Sequence, residues 1–389
     1  MGVDTHKVEV VPVVLEPHPD PETTALSVVK IYNFTVVVRT EDWKGVERAA
    51  YVQPDSILPD KPEFRFLKIT GNIKRELDAL EGLTGPEADA QRAALEAKID
   101  MNTKYLCITV RKLRGVMSMG MLLPLPPGYE NAEYGTDLAD VLGITHYEPP
   151  TEEEQVKSRR HAGDDVGPPP PSCIYAPSYD VESAYKYASL FEPGEMVYVS
   201  EKIDGQNARF VATDADNEWR REETPGGQVS SVRDITLYAG SRNEWKKKEG
   251  GSNWWRVQEQ NEWIPRWCYD NQDRVMYGET FGWVAKLKYG AKQGQLFFRA
   301  FDVLDGTEYW DAEKFIAEFH ESLRAPSLGI MPFDWEKLVK LADGPSLIPG
   351  ANNIREGIVI KPVKERRHYK LGRVFVKLVS NAYLEQSSR

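Results

Sequence analysis

Lys202 is the third residue of the string Ser-Glu-Lys-Ile-Asp-Gly, which runs from Ser200 to Gly205. A lysine amine is a nucleophile only when it has lost its proton, and its pKa in water is about 10.4. Burial, nearby positive charge or both must therefore lower the pKa of Lys202 if it acts as a nucleophile. The alternative interpretation is a charged turn that closes a β-hairpin, because Asp-Gly is a common turn pair.

Four further strings follow Lys202 in the chain and contain carboxylates, aromatic residues and lysines. Such groups suit chemistry on a phosphate, because carboxylates hold hard metal ions and cations offset the charge of phosphate oxygens. The number and the order of the strings favour the nucleophile over the turn. The strings are Tyr-Gly-Glu-Thr-Phe-Gly-Trp (277–283), Phe-Arg-Ala-Phe-Asp-Val (298–303), Arg-Glu-Gly-Ile-Val-Ile-Lys-Pro (355–362) and Val-Phe-Val-Lys-Leu-Val-Ser (374–380).

Together with the string around Lys202, these strings resemble motifs I, III, IIIa, IV and V of the covalent nucleotidyltransferase superfamily. That superfamily contains ATP-dependent DNA and RNA ligases and the GTP-using mRNA capping enzymes. The resemblance implies that Lys202 attacks the α-phosphate of ATP, releases pyrophosphate and keeps AMP as a phosphoramidate. Two alternatives stay open: a capping-type guanylyltransferase, and a non-catalytic RNA-binding protein that carries a relic ligase domain.

The phosphate and metal contacts are expected from lysines and carboxylates of these strings. Lys361 and Lys377 are the candidates for a clamp on the α-phosphate, where they would offset negative charge. Asp204 and Glu356 would support Mg²⁺ or Mn²⁺ through hard oxygen contacts. ATP and one of these ions are therefore the predicted cofactors.

The resemblance also implies which residues contact the nucleoside. Glu279 would bind a ribose hydroxyl, and Phe301 would stack on adenine. Glu201 would accept a hydrogen bond from the adenine amino group, which favours ATP over GTP. Asn207 stands where phage-type RNA ligases carry an asparagine, and Arg242 resembles an arginine that binds the ribose.

Domain order narrows the resemblance to one family. Motif V ends about nine residues before the last residue, so the sequence predicts an oligonucleotide-binding (OB) domain ahead of the catalytic domain rather than after it. That order, with Leu113-Arg-Gly-Val-Met-Ser-Met-Gly and Gly143-Ile-Thr-His-Tyr-Glu-Pro-Pro, resembles the Deinococcus-type RNA ligase family. The resemblance implies sealing of 3′-OH and 5′-phosphate ends in nicked RNA or RNA/DNA duplexes, with ribonucleotides on the 3′-OH side.

One position departs from the motifs of that family. Ligases often carry Lys-x-Lys in motif V, whereas here Phe375 takes the place of the first lysine, two residues before Lys377. The phosphate contact of that lysine is either lost or taken over by Arg373.

Composition sets broad limits on the protein. The chain has 389 residues, of which 41% are hydrophobic, and this length predicts two domains. The sequence shows no unbroken apolar run of membrane-spanning length and no secretory signal, and its three cysteines form no Cys-x-x-Cys pair, so we expect a cytoplasmic protein that does not enter a membrane. No obligate protein partner is inferred from the sequence. The net charge is −11, but the stretch 361–377 is rich in Lys and Arg, which predicts a basic groove on an acidic body.

Hydrophobic periodicity predicts an α+β protein of two domains. Residues 1–147 are expected to form an OB-like β-barrel domain that binds nucleic acid, with strands in 8–15, 26–39 and 105–113 and a helical insertion near 73–99. Residues 148–172 are an acidic, proline-rich linker. Residues 173–389 are expected to form a ligase-type nucleotidyltransferase domain of antiparallel sheets flanked by helices near 253–264, 311–323 and 335–342.

Overall fold

The structure is a computed structural model that describes residues 6–146, 166–215, 217, 220–223 and 229–387. The described residues before 147 form one compact unit, and those from Val166 to Leu384 form a second. The predicted domain boundary at residue 147 and most of the predicted linker 148–172 lie outside the described residues. None of the described helices is both long and apolar enough to span a membrane.

The first unit is an OB-fold domain of short antiparallel strands. It contains two three-stranded sheets, in the orders β1-β5-β9 and β2-β3-β4, and the first of these contributes Val10, Val52 and Leu123 to the core. The strands are β1 (Glu9–Pro12), β2 (Leu15–Pro17), β3 (Leu26–Ile31), β4 (Phe34–Arg39), β5 (Arg48–Val52), β6 (Ser56–Ile57), β7 (Arg111–Leu113), β8 (Val116–Ser118), β9 (Met121–Leu123) and β10 (Thr145–His146).

Two of the predicted strands differ from the structure in detail. The run 26–39 folds as the hairpin β3–β4, because Tyr32 adopts the left-handed φ of 53° that a two-residue hairpin turn requires. The run 105–113 begins instead as a 3₁₀ helix, Thr103–Leu106, and only its last residues form a strand.

Helices of the first unit include two that occupy the region of the predicted insertion. Thr70 caps the first of them by accepting a hydrogen bond from the Ile73 amide, and Gly82 and Gly85 take the positive φ values that the intervening turn needs. The helices of this unit are Thr40–Trp43, Arg65–Lys68, Gly71–Ala79, Pro86–Met101 and Ala139–Leu142.

The second unit contains two five-stranded sheets, in the orders β11-β24-β21-β12-β20 and β16-β13-β17-β18-β19. Its strands are β11 (Glu182–Ser183), β12 (Met196–Lys202), β13 (Gln206–Thr213), β14 (Arg220–Glu223), β15 (Val229–Val232), β16 (Thr236–Gly240), β17 (Arg274–Gly282), β18 (Leu296–Asp305), β19 (Glu308–Tyr309), β20 (Ser327–Pro332), β21 (Gly357–Pro362), β22 (Arg367–His368), β23 (Gly372–Arg373) and β24 (Val376–Val379).

Helices cover one face of each of these sheets, and this gives the predicted α+β nucleotidyltransferase fold. One predicted helix, 253–264, is interrupted at residues 261–262. Pro265 explains the break, because proline has no amide hydrogen to donate and is tolerated only near the start of a new helix. The helices are Ala184–Tyr187, Asn253–Gln260, Trp263–Asp270, Ala312–Glu318, Trp335–Ala342 and Asn381–Ser387.

Strand alternation places the motif residues on the faces that the helices leave uncovered. Val199 and Leu378 point to the core beneath the helix Trp335–Ala342. Lys202, three residues after Val199, and Lys377, next to Leu378, therefore point to the opposite face. In the second sheet, residues such as Phe210 and Phe298 face the helices, and Glu279 therefore faces the other way.

Candidate active site

Lys202 is the last residue of β12, and it ends one sheet rather than closing a hairpin. β12 pairs with β20 and β21, whereas the next strand, β13, pairs with β16 and β17 of the other sheet. The hairpin-turn interpretation is therefore wrong. Gly205 lies in the connection, where an added Cβ would come within 2.7 Å of Cγ of Glu279, so a larger residue there would displace Glu279.

The ammonium group of Lys202 lies 2.5 Å from Oε2 of Glu356. Burial alone lowers the pKa of Lys202, but the charges of Glu356, Glu279 and Asp204 raise it above its usual value. The sequence predicted a lowered pKa for Lys202, and the structure differs because the nearby carboxylates outweigh burial. In this state Lys202 is a charged amine that must lose a proton before it can attack.

Cations also converge on this cluster from two other strings. Burial lowers the pKa of Lys377, and the positive charges of Lys202 and Arg242 lower it further. Lys377 pairs across the sheet with Val359 of β21, on the face that carries Lys202. The Nε atom of Arg242 lies 3.5 Å from the carboxylate of Asp180. The positive charge of Arg242 also acts to lower the pKa of Glu279.

Glu279 lies on β17, directly opposite Asn207 of β13. Burial raises the pKa of Glu279 to about 8, with Glu356 and Asp204 adding to the effect and Lys202 and Arg242 opposing it. The side-chain Oδ1 of Asn207 is buried without a hydrogen-bond partner among the described residues. A buried acceptor of this kind is costly unless a ligand supplies a donor, so the pair fits a bound polar molecule.

The pKa of Glu279 has a consequence for stability in metal-free protein. A carboxyl whose pKa is raised on folding stays protonated in the native state while the unfolded chain ionises, so stability falls between the unfolded value near 4.5 and about pH 8. We expect Glu279→Gln, which mimics the protonated form, to reduce this fall. Melting temperatures from pH 5 to 9 in the presence of a chelator test it; parallel curves for both proteins would contradict the assignment.

A divalent metal ion fits beside Lys202 only with substrate or water as further ligands. Among the described residues, no three carboxylate, imidazole or thiol groups converge as a ready-made metal site. Glu356 and Glu279 offer two neighbouring carboxylates, which suits an ion that keeps several waters and binds phosphate oxygens. One carboxylate oxygen of Asp204, Oδ2, already accepts a hydrogen bond from the Leu287 amide at 2.7 Å.

Lys361 differs from its predicted position at the phosphate. Its side chain is only 4% exposed, and its Nζ lies 3.2 Å from Oδ1 of Asp302. Arg373 donates to the other oxygen of Asp302 at 2.6 Å and also pairs with Glu365. Lys361 and Arg373 are therefore held in a buried ion network, and a phosphate contact from Arg373 would require its pairs with Asp302 and Glu365 to open.

Much of the predicted basic stretch 361–377 is neutralised in the same way. Lys364 pairs with Asp311 and Glu313, and Arg366 pairs with Glu195. Phe375 packs on Tyr179, with ring centroids 5.0 Å apart, in a cluster that also contains Phe301. The predicted basic groove is thus weaker at this stretch than its composition indicates.

The ion network around Asp302 leads to a stability prediction. Burial raises the pKa of Asp302, but Arg373 and Lys361 outweigh it and hold the pKa below its usual value. Asp302→Asn leaves two buried cations poorly compensated, so we expect it to lower the free energy of unfolding by about 3 kcal/mol. Asp305→Asn on the same strand breaks a more exposed pair with Arg274 and should cost less than about 1 kcal/mol. Equal losses in urea unfolding would contradict the structural role.

Glu201 and Phe301 also have neighbours that the sequence did not reveal. Glu201 is 2% exposed, and its carboxylate accepts hydrogen bonds from the Ser346 hydroxyl and the Leu347 amide, both at 2.6 Å. Phe301 is the extra residue of a β-bulge in β18 and packs against Tyr179 at 4.7 Å between ring centroids.

Gly357, the residue after Glu356, is the first residue of β21. An added Cβ at Gly357 would meet the backbone of Leu378 and Val379 on β24. This glycine allows close packing of β21 against β24, which brings Lys377 beside Glu356.

The structure therefore brings together Lys202, Glu279, Glu356, Lys377 and Arg242, and sets Lys361 and Glu201 apart with internal partners. Asp302 is the main residue that sequence reasoning missed. The signal for it was its position directly after Phe301 in a mostly apolar strand, where a buried carboxylate is expected to need a charged partner.

Fold and site together define a nucleotidyltransferase-type domain that follows an OB-fold domain. The RNA ligase family model matches residues 195–379, and an OB-fold domain model matches residues 9–84. No curated protein sequence matches the chain significantly.

The solved structures that resemble the chain include those of the RNA ligase of Naegleria gruberi. A variant of that ligase with ATP and Mn has a TM-score of 0.68 and 20% identity, and the match covers 98% of this chain and 100% of that one. Another variant, with AMP and Mn, has a TM-score of 0.66 and 20% identity, covering 98% and 99%. The ligase with PPi has a TM-score of 0.66 and 21% identity, also covering 98% and 99%. The three establish a shared fold.

Proposed function

We propose that this protein is an ATP-dependent RNA ligase with the domain order of the Deinococcus-type family. The observation that carries the proposal is the cluster in which the amine of Lys202 meets Glu356, Glu279 and Lys377, within the segment that matches the RNA ligase model. The ATP, AMP and Mn in structures of the similar Naegleria ligase support ATP with Mn²⁺ or Mg²⁺ as cofactors.

In the first step, the neutral amine of Lys202 attacks the α-phosphorus of ATP. A phosphorus–nitrogen bond forms, the bond from that phosphorus to the bridging oxygen breaks, pyrophosphate leaves, and the nitrogen releases a proton. Lys377 and Arg242 would offset charge on the phosphate oxygens. Because Lys361 is bound to Asp302, we assign the clamp to Lys377, and a phosphate contact from Lys361 would require that ion pair to open.

In the second step, an oxygen of an RNA 5′-phosphate attacks the phosphorus of lysine–AMP, and the phosphorus–nitrogen bond breaks as Lys202 takes up a proton. In the third, a 3′-hydroxyl attacks the activated 5′-phosphate, loses its proton and expels AMP. These steps join the two ends through a new phosphodiester.

The proposed metal contacts come from Glu356 and Asp204, with Glu279 close by. A bound Mg²⁺ or Mn²⁺ would supply positive charge that stabilises phosphate oxygens and offsets the carboxylates around Lys202. The carboxylates of Glu356 and Glu279 also hold the amine of Lys202 in place before ATP enters. If those carboxylates contacted the metal ion instead of the amine, the pKa of Lys202 would fall, because they are the groups that raise it.

The proposed nucleoside contacts are those of Asn207, Arg242 and Glu279 near the ribose and Phe301 at adenine. The unpartnered Oδ1 of Asn207 supports a polar ligand beside Glu279. Recognition of adenine by Glu201 would require its carboxylate to exchange the Ser346 hydroxyl for the adenine amino group. This exchange would give the proposed preference for ATP over GTP.

The proposed substrates are nicked duplexes with ribonucleotides on the 3′-OH side, joined in the cytoplasm without an obligate protein partner. The test is a panel of nicked duplexes that differ only in the sugar on each side of the nick, with ATP and Mg²⁺ or Mn²⁺. We expect sealing only where the 3′-OH strand ends in ribonucleotides. Equal sealing of all-DNA nicks would contradict the RNA specificity, and charging by GTP alone would indicate a capping-type enzyme.

A further inference from the structure

The connection between β17 and β18 is a strongly basic segment in an acidic protein. The chain carries 60 Asp and Glu against 49 Lys and Arg, yet residues 281–301 contain no acidic residue. The segment contains Lys286, Lys288, Lys292 and Arg299. The segment itself therefore carries four positive charges and no negative one.

This connection is built on the catalytic string. Oδ2 of Asp204 accepts a hydrogen bond from the Leu287 amide, and the Asp204 amide donates to the hydroxyl of Tyr289, both at 2.7 Å. Leu287 and Tyr289 are buried in one apolar cluster with Ile203, the residue that follows Lys202. The loop is therefore anchored on Ile203 and Asp204, the two residues that follow Lys202.

The outward side of the loop carries an aromatic face and cations. Trp283 is 40% exposed at the end of β17, and Lys288 Nζ lies 5.0 Å from its ring centroid and 3.2 Å from its carbonyl oxygen. Lys286 and Lys292 are exposed as well. An exposed tryptophan among lysines, beside buried Val284 and Ala285 that anchor the loop, is typical of a surface that stacks on bases and contacts phosphates.

Arg299 extends this basic surface toward Glu279. The two residues are opposite each other on β18 and β17, so both lie on the face that carries the catalytic cluster. Burial lowers the pKa of Arg299, and its Nε is buried without a hydrogen-bond partner among the described residues. A buried guanidinium donor without an acceptor suits an anionic ligand such as phosphate.

We propose that the β17–β18 connection binds the RNA strand at the break, with a base stacked on Trp283 and backbone phosphates contacted by Lys286, Lys288 and Arg299. This rests on the proposed ligase function. The triphosphate of ATP is the other source of phosphate, but it requires no exposed aromatic face, and Trp283 therefore favours the nucleic acid. The hydrogen bonds of Asp204 with Leu287 and Tyr289 would link RNA bound at this loop to the segment that carries Lys202.

The test compares RNA binding with self-adenylylation. The variants are Trp283→Ala and the double variant Lys286→Ala/Lys288→Ala; Tyr269→Ala, another exposed aromatic, and Lys337→Ala/Lys340→Ala are the matched controls. Affinity for a nicked RNA duplex is measured without ATP by fluorescence anisotropy at several salt concentrations. The AMP-charging rate with ATP and metal is measured separately for each protein.

We expect Trp283→Ala to weaken RNA binding about 10-fold, since stacking on one base contributes about 1–3 kcal/mol. The double lysine variant should bind more weakly and reduce the slope of log affinity against log salt by about 2. Charging rates should stay within about twofold of wild type, and Trp283→Phe should restore binding.

Two results would overturn the inference. One is RNA affinity equal to wild type in both variants, and the other is a loss of AMP charging as large as the loss of RNA binding, which would assign the loop to ATP. Failure of the wild-type protein to become charged would refute the ligase proposal alone, because the RNA affinities are measured without ATP. Melting temperatures close to wild type exclude misfolding as the cause.

Discussion

Lys202→Ala is expected to abolish nick sealing from ATP, with a fall in rate of at least about 10⁴-fold, because removal of a covalent nucleophile removes the reaction path itself. Lys202→Arg should be nearly as inactive, since a guanidinium stays protonated and cannot attack phosphorus. The measurement is conversion of a labelled nicked duplex to a sealed strand with ATP and Mg²⁺ or Mn²⁺.

A substrate that already carries AMP on its 5′-phosphate is the control for the Lys202 variants. Its sealing needs only the attack of the 3′-hydroxyl and the departure of AMP. We therefore expect Lys202→Ala to seal this pre-activated nick far better than it seals the same nick with ATP. Equal failure on both substrates would mean that Lys202 supports the architecture of the site rather than the formation of a covalent intermediate.

Glu356→Ala is expected to lower the rate of self-adenylylation by about 10²- to 10³-fold, the range seen when one preorganised electrostatic contact is lost from an active site. Glu356 lies 2.5 Å from the Lys202 ammonium and is the strongest of the charges that raise its pKa. The variant loses both a proposed metal contact and the contact that positions the amine of Lys202. Single-turnover charging with ATP at saturating metal measures this effect.

The loss in Glu356→Ala should be accompanied by a shift in pH dependence. With one carboxylate removed, the pKa of Lys202 falls, so the residual charging rate should reach its plateau at a lower pH than in wild type. Glu336→Ala, at an exposed position on the helix Trp335–Ala342, is the matched control and should behave as wild type. Near-normal charging by Glu356→Ala would exclude it from the metal and amine contacts.

Lys202, Glu279, Glu356 and Lys377 were expected to lie together because their strings resemble, in content and order, the motifs of covalent nucleotidyltransferases. Lys202, Glu356 and Lys377 lie at or beside adjacent strands of one sheet, and Glu279 lies on the other. Side-chain alternation within a strand is a local property, so the sequence can place such residues on one face. The α+β class was predictable from hydrophobic periodicity, whereas the OB and nucleotidyltransferase folds were expected from the resemblance.

The partners of individual charges were not predictable, since they depend on contacts between distant parts of the chain. Lys361 has the spacing expected of a phosphate ligand, but Asp302, 59 positions earlier, holds it in a buried pair. Glu201 is bound by Ser346, 145 positions later. The direction of the Lys202 pKa shift was misjudged because burial and three separate carboxylates act on it at once.

The most direct test of the account is to locate AMP on the protein. Purified protein is incubated with ATP and Mg²⁺ or Mn²⁺, denatured at neutral or alkaline pH to protect the acid-labile phosphoramidate, digested, and analysed by peptide mass spectrometry. The account requires one AMP on the peptide that contains Lys202, removable by added pyrophosphate. Protein that seals RNA with AMP on another residue, or without any adduct, would contradict it.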